Sequence, residues 1–302
     1  MRVTTQSISY QVTAGLQQAF RRLAEVQEQV TSGKRINRLS DDPIGATQVF
    51  DLRSFAASLD QYDKNINSAL PFLERTETVL ADVEEVVGRA KELALAMAND
   101  SNSGQERSLA AVEIRQLFLH LLSLANTKVE NRYLFGGFKN GTAPFAEGGG
   151  AVTYSGDSGE IAIQLDSSAT LTLNLVGSKV FQGVGVTGGV DLFDVFLDLE
   201  TALQANDVTG PEGINTQIGR LDAALDQILS FRAEVGARLN TARTAQEGLA
   251  VMKIQSTSLR AKLEDADVLQ IYSDFARLQH AFEAALQSAS QVIRPTLLDF
   301  LR

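Results

Sequence analysis

Few side chains in this sequence could carry out chemistry, and their spacing forms no known catalytic set. The 302 residues include two histidines, His120 and His280, and no cysteine. Both histidines lie in segments with helical periodicity, so we expect them on helix surfaces or between helices rather than acting as bases. Without cysteine, disulfides, thiolate metal ligands and thiol nucleophiles are excluded.

Motifs for nucleotide binding and hydrolysis are missing as well. No serine occupies a Gly-x-Ser-x-Gly elbow, no His-Glu-x-x-His sequence occurs, and the tetrapeptide SGKR at 32–35 lacks the spacing of a phosphate-binding loop. Adjacent acidic pairs such as Glu84-Glu85 and Glu264-Asp265 point to different sides of a helix, so we expect them on solvated faces. The sequence therefore predicts a protein without enzyme activity, cofactor or metal site.

The charge and hydropathy of the protein limit its partners. With 27 basic and 37 acidic residues the formal net charge is −10, and no basic stripe is available to bind phosphates, so we expect no nucleic-acid partner. The longest nearly apolar run, at 117–125, is too short to span a bilayer. The first residues lack the basic and apolar regions of a cleaved signal peptide. We expect a soluble protein with no membrane insertion.

The elements that would position these residues are mostly helices, and the two ends of the sequence share one pattern. Apolar residues recur in steps of three and four near both termini, which predicts two amphipathic helices. The N-terminal stripe contains Ile8, Val12, Ala19, Leu23, Val26 and Val30, and the C-terminal stripe contains Ile271, Phe275, Leu278, Phe282, Ala285, Ala289 and Val292. We expect these two helices to pair, and separate packing of each on a globular core is the alternative.

The segment SGKRINRLSDDPIGA, at 32–46, separates the first helix from the next. Gly33 suits the end of a helix, and Asp41 or Asp42 can accept free N–H groups where another helix starts. Pro43 fits the first turn of that helix. We expect the charged side chains here to contact the long helices or a neighbouring molecule; a locally capped linker is the alternative. The candidate residues are Gly33, Lys34, Arg35, Ile36, Asn37, Asp41, Asp42 and Pro43.

Helical periodicity then continues from 43 to about 97, which corresponds to roughly 80 Å of helix. Pro71 lies inside this segment, and we expect a kink or a short break at 68–72 because proline removes a helical hydrogen bond. A polar cluster at 99–104 predicts a turn. A second helix is predicted from 105 to about 129.

The stretch at 131–205 differs in composition and predicts a β-rich insert. Between 131 and 190 we count 13 of the 23 glycines, and apolar residues alternate instead of recurring at helical spacing. Short strands are predicted at 152–154, 160–165 and 170–175. From 131 to 204, three basic and eight acidic residues give a charge of −5, as expected of a solvent-facing domain.

Helical periodicity returns at 190–205 and again after Gly210-Pro211. The returning helices bury all apolar stripes if they lie antiparallel to the outgoing ones. We therefore predict an α+β fold, an elongated antiparallel helical rod with a small β-rich domain inserted. The predicted units are a terminal coiled-coil layer (1–42 with 266–302), a long-helix rod layer (43–130 with 206–265) and an inserted β-rich outer domain (131–205).

Several segments resemble the flagellin and hook-associated protein superfamily of the bacterial flagellum. The match is strongest in SGKRINRLSDDPIGA, and GARLN at 236–240 extends it to the C-terminal helices. Within the superfamily, DDP followed by IGA is similar to the hook-associated protein 3 family. The same family is matched by NRYLFGGFKNGTAPF (131–145), GSKVF (177–181) and TLLDFL (296–301), the last of which includes Leu297, Leu298, Phe300 and Leu301.

This resemblance implies a structural adaptor that joins the hook to the flagellin filament at the hook–filament junction, outside the cell. It implies export through the flagellar type III apparatus without a cleaved signal, after binding of an export chaperone to the C-terminal region. It also implies assembly on hook-associated protein 1, self-association in a ring, and later addition of flagellin. The terminal stripes and the loop residues would then supply contacts within and between subunits.

Other functions stay open at this point. A minor or short flagellin, which forms filament itself, is the nearest alternative. An unrelated cytoplasmic coiled-coil scaffold would explain the periodicity but not the segment at 32–46. An enzyme within the insert is the least consistent alternative, because 131–205 contains no histidine.

Overall fold

The computed structural model describes residues 5–99 and 101–293, with side chains described between 9 and 290 in those ranges. Long helices precede and follow a small β-rich stretch in the sequence, so the predicted α+β class is confirmed. The helices are α1 (Thr5–Ser32), α2 (Pro43–Met97), α3 (Gly104–Ala125), α4 (Gly177–Gln182), α5 (Leu192–Gln204), α6 (Ile214–Glu264) and α7 (Val268–Ile293).

Between α3 and α4 the backbone forms antiparallel hairpins of two strands each. The strands are β1 (Lys128–Val129) with β2 (Arg132–Tyr133), β3 (Phe145–Gly148) with β4 (Ala151–Tyr154), and β5 (Ala162–Gln164) with β6 (Thr170–Thr172). The last three strands fall within or beside predicted ones, whereas β1, β2 and β3 were not predicted. Strands β1 and β2 have two residues each, too few to show alternation, and β3 has one apolar side chain followed by alanine, glutamate and glycine.

Helix α2 continues through Pro71, so the predicted break at 68–72 is wrong. Proline removes one helical hydrogen bond at a cost of about 3 kcal/mol. Pro71 itself is exposed, whereas Ala69 and Leu73 on either side are fully buried. Packing of the buried face therefore holds the helix together across the proline.

Helix α3 begins with a capping box and ends earlier than predicted. The Ser103 side chain accepts the N–H of Glu106, and the Glu106 carboxylate accepts the N–H of Ser103. At the other end, the Asn126 amide donates to the carbonyl of Phe145 at 2.9 Å and accepts its N–H at 3.1 Å. This pair of bonds attaches β3 to the end of α3 and directs the backbone into the hairpins.

The protein divides into two compact units. The first, Met1–Leu59 with Val251–Arg302, contains α1, α7, the start of α2 and the end of α6. Helices α1 and α7 are antiparallel, since Val12 and Leu16 lie beside Ala285 and Ala289, and the later Phe20 of α1 meets the earlier Phe282 of α7. The rings of Phe20 and Phe282 meet at 5.9 Å between centroids. The predicted pairing of the terminal helices is therefore present in the structure.

The second unit, Asp60–Ala250, has the larger core. Buried aliphatic side chains of α2, α3, α5 and α6 form one part of it, and a group of phenylalanines from α3, α4, α5 and the β-rich stretch forms the other. The fully buried phenylalanines of that group are Phe118, Phe135, Phe145, Phe181, Phe193 and Phe196. The division into three units that the sequence predicts stays a prediction.

Among the described helices, α3 alone is long and apolar enough to cross a membrane by length and composition. This is weak evidence, because a core helix of a soluble protein meets the same criterion. In this structure Ile114, Phe118 and Leu121 of α3 are fully buried inside the unit.

Candidate functional site

The segment between α1 and α2 is the candidate site, and its backbone follows the sequence prediction. Gly33 ends α1 with φ of +70°, a conformation that glycine adopts without a Cβ penalty, and its N–H donates to the carbonyl of Gln29 at 2.8 Å. Asp42 accepts the N–H of Gly45 at 2.9 Å, and α2 begins at Pro43. The predicted helix end and helix start are both confirmed.

Just after α1, the backbone pairs with the end of α6. An antiparallel β-bridge forms there. The N–H of Arg35 donates to the carbonyl of Glu264 at 2.7 Å, and the N–H of Ala266 donates to the carbonyl of Gly33 at 3.1 Å. We call this contact of 33–35 with 264–266 the terminal bridge. It joins segments from opposite ends of the sequence.

Glu264 lies at the centre of a cluster of cations. Its side chain is 3% exposed and lies 2.5 Å from the ammonium of Lys34; it also accepts from Arg53 and lies 3.8 Å from Arg260. Burial would raise the pKa of Glu264, but hydrogen bonds from Lys34 and Arg53 outweigh it and hold the pKa below its ordinary value of 4.5. The expectation of a solvated face at Glu264 is wrong, because the loop, α2 and α6 each bring a cation to it.

The other charged residues of the loop divide into two groups. The Arg35 guanidinium donates to the carbonyl of Leu263 at 2.9 Å, so Arg35 contacts α6 as Lys34 does. Asp41 instead accepts the N–H of Arg38 at 2.8 Å, and this bond holds the pKa of Asp41 below its ordinary value. Asp42 caps α2 and lies 3.4 Å from Arg35. The two aspartates therefore act locally, whereas the two cations reach another helix.

Ile36 and Gly45 set the close approach of this loop to α2. Ile36 is buried, and a Cβ atom added to Gly45 would come within 2.8 Å of the Ile36 side chain. Asn37 donates from its side chain to the carbonyl of Lys34 at 3.2 Å. Sequence reasoning did not select Gly45, Arg53 or Glu264; a glycine one turn into a predicted helix was the available signal for the first.

The paired terminal helices bury only one side. In α7 the predicted residues Ile271 and Ala289 are buried. The other described members of the two stripes are half-buried: Val12, Ala19, Leu23, Val26, Val30, Phe275, Leu278, Phe282 and Ala285. The side chains of Ile8 and Val292 lie outside the described set, and Leu297, Leu298, Phe300 and Leu301 lie outside the described residues.

A second apolar stripe on α7 was not predicted. It contains Val268, Tyr272 and Leu286, which follow one another at steps of four and fourteen residues. Val268 and Tyr272 are more than half exposed, as is Leu269 beside them at 84%. Large apolar side chains of α1, α2 and α6 are exposed too: Tyr10, Ile44, Phe50, Val251 and Ile254. Unpartnered apolar surface of this extent is characteristic of a protein interaction site.

The described residues offer little for metal binding or catalysis. His120 and His280 are both exposed, as expected for helix surfaces. Within the described ranges no group of three or more histidine, aspartate or glutamate side chains could hold a metal ion. The interactions described at the site are ion pairs, helix caps and apolar contacts.

Comparisons with known proteins identify flagellar proteins as similar to this sequence. Residues 3–140 match the family model described as the bacterial flagellin N-terminal helical region. The flagellar hook-associated protein 3 of Escherichia coli K12 is 28% identical over 305 residues, covering 95% of this chain and 96% of that protein. The flagellar filament 30.7 kDa core protein of Treponema maltophilum is 27% identical over 266 residues, covering 87% of this chain and 86% of that protein.

A solved structure supports the same fold. The structure of a flagellar hook-associated protein from Vibrio parahaemolyticus matches with a TM-score of 0.66 at 22% identity. The match covers 74% of this chain and 100% of that one.

Proposed function

We propose that this protein, a homologue of the flagellar hook-associated protein 3 within the flagellin superfamily, is the structural adaptor that joins the flagellar hook to the flagellin filament. The observation that carries the proposal is similarity to a hook-associated protein 3 over 95% of the sequence. Similarity of that extent includes the terminal helices, the loop between α1 and α2, and the β-rich insert. The protein is thus a flagellar component, and its position at the hook–filament junction is the finer proposal.

The physical basis of the adaptor is apolar surface that one subunit leaves uncovered. Helices α1 and α7 cover each other on one side, and the second stripe of α7 stays exposed. Neighbouring subunits of a tube would cover that stripe and gain roughly 25 cal/mol for each Å² of apolar area removed from water. The terminal bridge and Glu264 would fix the direction of α1 and α7 relative to the start of α2 and the end of α6.

The partners follow from this position. We expect the protein to leave the cell through the flagellar type III apparatus without a cleaved signal, held beforehand by an export chaperone. Outside, it would assemble on hook-associated protein 1, self-associate in a ring and receive flagellin on its distal side. No catalytic activity, cofactor, nucleic acid or membrane insertion belongs to this role.

A minor or short flagellin is the second candidate, and two observations favour it. Residues 3–140 match the flagellin N-terminal region, and a filament core protein is 27% identical over 87% of the sequence. The two functions differ in self-assembly. Purified flagellin seeds should extend into long filaments if the protein is a flagellin, whereas an adaptor should bind the seed end and stop.

Deletion of the gene tests the adaptor directly. Cells without the adaptor should keep a hook and release flagellin monomers into the medium, and the intact gene should restore filaments. Normal filaments on the deletion strain would reject the adaptor function. If the deletion strain still carries filaments on its hooks and these filaments lack only one portion, the protein is instead a minor flagellin.

A further inference from the structure

The turn after β2 contains the single Asn-Gly pair of the sequence, Asn140-Gly141. We propose that this pair is a site of spontaneous covalent modification, where the Asn140 side-chain amide is converted to a carboxyl group. The inference is independent of the function proposed above. It depends on the geometry of the turn and on general amide chemistry.

The reaction needs water alone as co-reactant. The backbone nitrogen of Gly141 attacks Cγ of Asn140, a new C–N bond forms, and the bond from Cγ to the amide nitrogen Nδ2 breaks. Ammonia leaves with the proton that the Gly141 nitrogen loses, and a cyclic succinimide remains. Water then opens the succinimide at either carbonyl, which yields aspartate or isoaspartate, with no atom oxidised or reduced.

Both reacting groups are available in the described structure. Asn140 is half-buried and Gly141 is exposed. Within the described residues, neither the Asn140 side chain nor the Gly141 N–H has a hydrogen-bond partner. A Cβ atom added at Gly141 would meet nothing within 4 Å. No neighbouring atom therefore crowds Gly141, and glycine adopts backbone conformations that other residues disfavour.

In two other turns, hydrogen bonds of the asparagine side chain should protect it from this conversion. The Asn102 amide donates to the carbonyl of Ala96 at 2.6 Å, and the following nitrogen, that of Ser103, donates to Glu106 at 2.7 Å. Asn206 accepts from the buried Arg107. Such bonds keep the amide and the attacking nitrogen apart, so Asn102 and Asn206 serve as internal controls.

The modification would change both charge and backbone locally. Asn140 lines a cavity of about 380 Å³ together with Glu130 and Arg132, one acidic and one basic residue. Conversion adds a second carboxylate to this rim. The carbonyl of Asn140 also accepts the N–H of Tyr133 in β2 at 2.9 Å. Isoaspartate inserts a methylene group into the backbone, so it would displace that carbonyl and loosen the β1–β2 hairpin.

The experiment is to age the purified full-length protein at mildly alkaline pH, below its unfolding temperature, and to follow its peptides by mass spectrometry. The peptide with Asn140 should gain the mass of an amide-to-acid conversion, while peptides with Asn102 and Asn206 stay unchanged. An isoaspartyl methyltransferase should label the aged protein on that peptide. Amide exchange at Tyr133 should become several-fold faster in the aged protein.

Two variants test whether the Asn140-Gly141 pair itself causes the conversion during ageing. Gly141→Ala should slow conversion several-fold, because alanine has fewer accessible backbone conformations than glycine, and Asn140→Gln should abolish it. The protein unfolded in urea serves as the reference for an unconstrained Asn-Gly pair. An unchanged Asn140 peptide in the folded protein while the unfolded protein is converted would overturn the proposal. Equal rates at Asn140 and Asn102 would overturn it as well.

Discussion

The guanidinium of Arg35 donates a hydrogen bond of 2.9 Å to the backbone carbonyl of Leu263, a residue 228 positions later in the sequence. The acceptor belongs to the last turn of α6, where carbonyl groups have no partner within the helix. Arg35 therefore caps a helix from the far end of the sequence. Together with the terminal bridge, this contact makes the loop at 33–42 a junction between both ends of the protein.

Neutralising Glu264 should weaken this junction. In Glu264→Gln the cluster loses its one negative charge, and we expect the opening free energy of the Arg35 and Ala266 amides to fall by about 2 kcal/mol. Native-state hydrogen exchange measures this change. The matched control is Glu28→Gln, which removes an exposed ion pair with Arg38 and should change the same amides by about 0.5 kcal/mol or less. Equal effects of both variants would contradict the prediction.

Acid should open the same region, and the sign follows from the lowered pKa values. A carboxyl group whose pKa is depressed by folding stabilises the fold above its unfolded pKa, and that stabilisation is lost as pH falls through the folded pKa. For Glu264 the loss starts below its ordinary value of 4.5 and for Asp41 below 3.8. Exchange at Arg35 and Arg38, corrected for intrinsic rates, should therefore rise as pH drops through this window. Glu264→Gln should reduce the pH dependence of amide exchange at Arg35 and leave the pH dependence at Arg38 unchanged.

Arg107 should not be replaceable by lysine. Its side chain is 4% exposed, and it donates to the carbonyls of Met97 and Asn99 and to the Asn206 side chain. The planar guanidinium directs its N–H groups at three acceptors, and a lysine ammonium cannot reproduce this arrangement. Arg107→Lys should therefore lower the free energy of unfolding by about 2 kcal/mol.

Urea denaturation gives this value. The control is Arg89→Lys, at an exposed arginine paired with Glu113, which should cost about 0.5 kcal/mol. If Arg107→Lys lowers the free energy of unfolding no more than Arg89→Lys does, the planar arrangement of the Arg107 donors is unimportant for stability.

The aromatic cluster should dominate the stability of the second unit. Phe181 meets the rings of Phe135, Phe145 and Phe193 at 5.0, 5.3 and 5.8 Å between centroids. Phe181→Ala removes these contacts and leaves a cavity, so we expect a loss of about 4 kcal/mol in urea denaturation. Phe138→Ala, at a side chain that is 64% exposed, should cost about 0.5 kcal/mol or less.

Charge reversal at Arg35 tests the role of the loop in assembly. Arg35→Glu places a carboxylate beside the Leu263 carbonyl and the acidic Asp42, so the loop should detach from α6 and filament attachment should fall several-fold. Counting filamented hooks by electron microscopy in a strain expressing the variant measures this. Arg38→Glu, at an exposed position paired only with Glu28 among the described contacts, is the control. Normal filament numbers with Arg35→Glu would favour a locally capped linker.

Sequence patterns predicted the features that have a local physical cause. The end of α1 at Gly33 and the start of α2 at Pro43 follow from backbone preferences of single residues. The pairing of the terminal helices follows from heptad spacing. The break predicted at Pro71 failed because burial of Ala69 and Leu73 outweighs the lost hydrogen bond.

Contacts between distant segments could not be predicted in this way. Glu264 appears in sequence as one acidic residue near a helix end, and only the fold brings Lys34 and Arg53 to it. The helix end at Ala125 likewise depends on Asn126 meeting Phe145. Such long-range contacts have no signature in local periodicity.

The terminal bridge also has a mechanical consequence. Its two backbone hydrogen bonds, from Arg35 to Glu264 and from Ala266 to Gly33, run across two antiparallel segments. A pulling force along either terminal helix would load both bonds together in shear, instead of stretching one linker. The two bridged segments of backbone would therefore share the tension. The terminal bridge would separate only if both hydrogen bonds broke together.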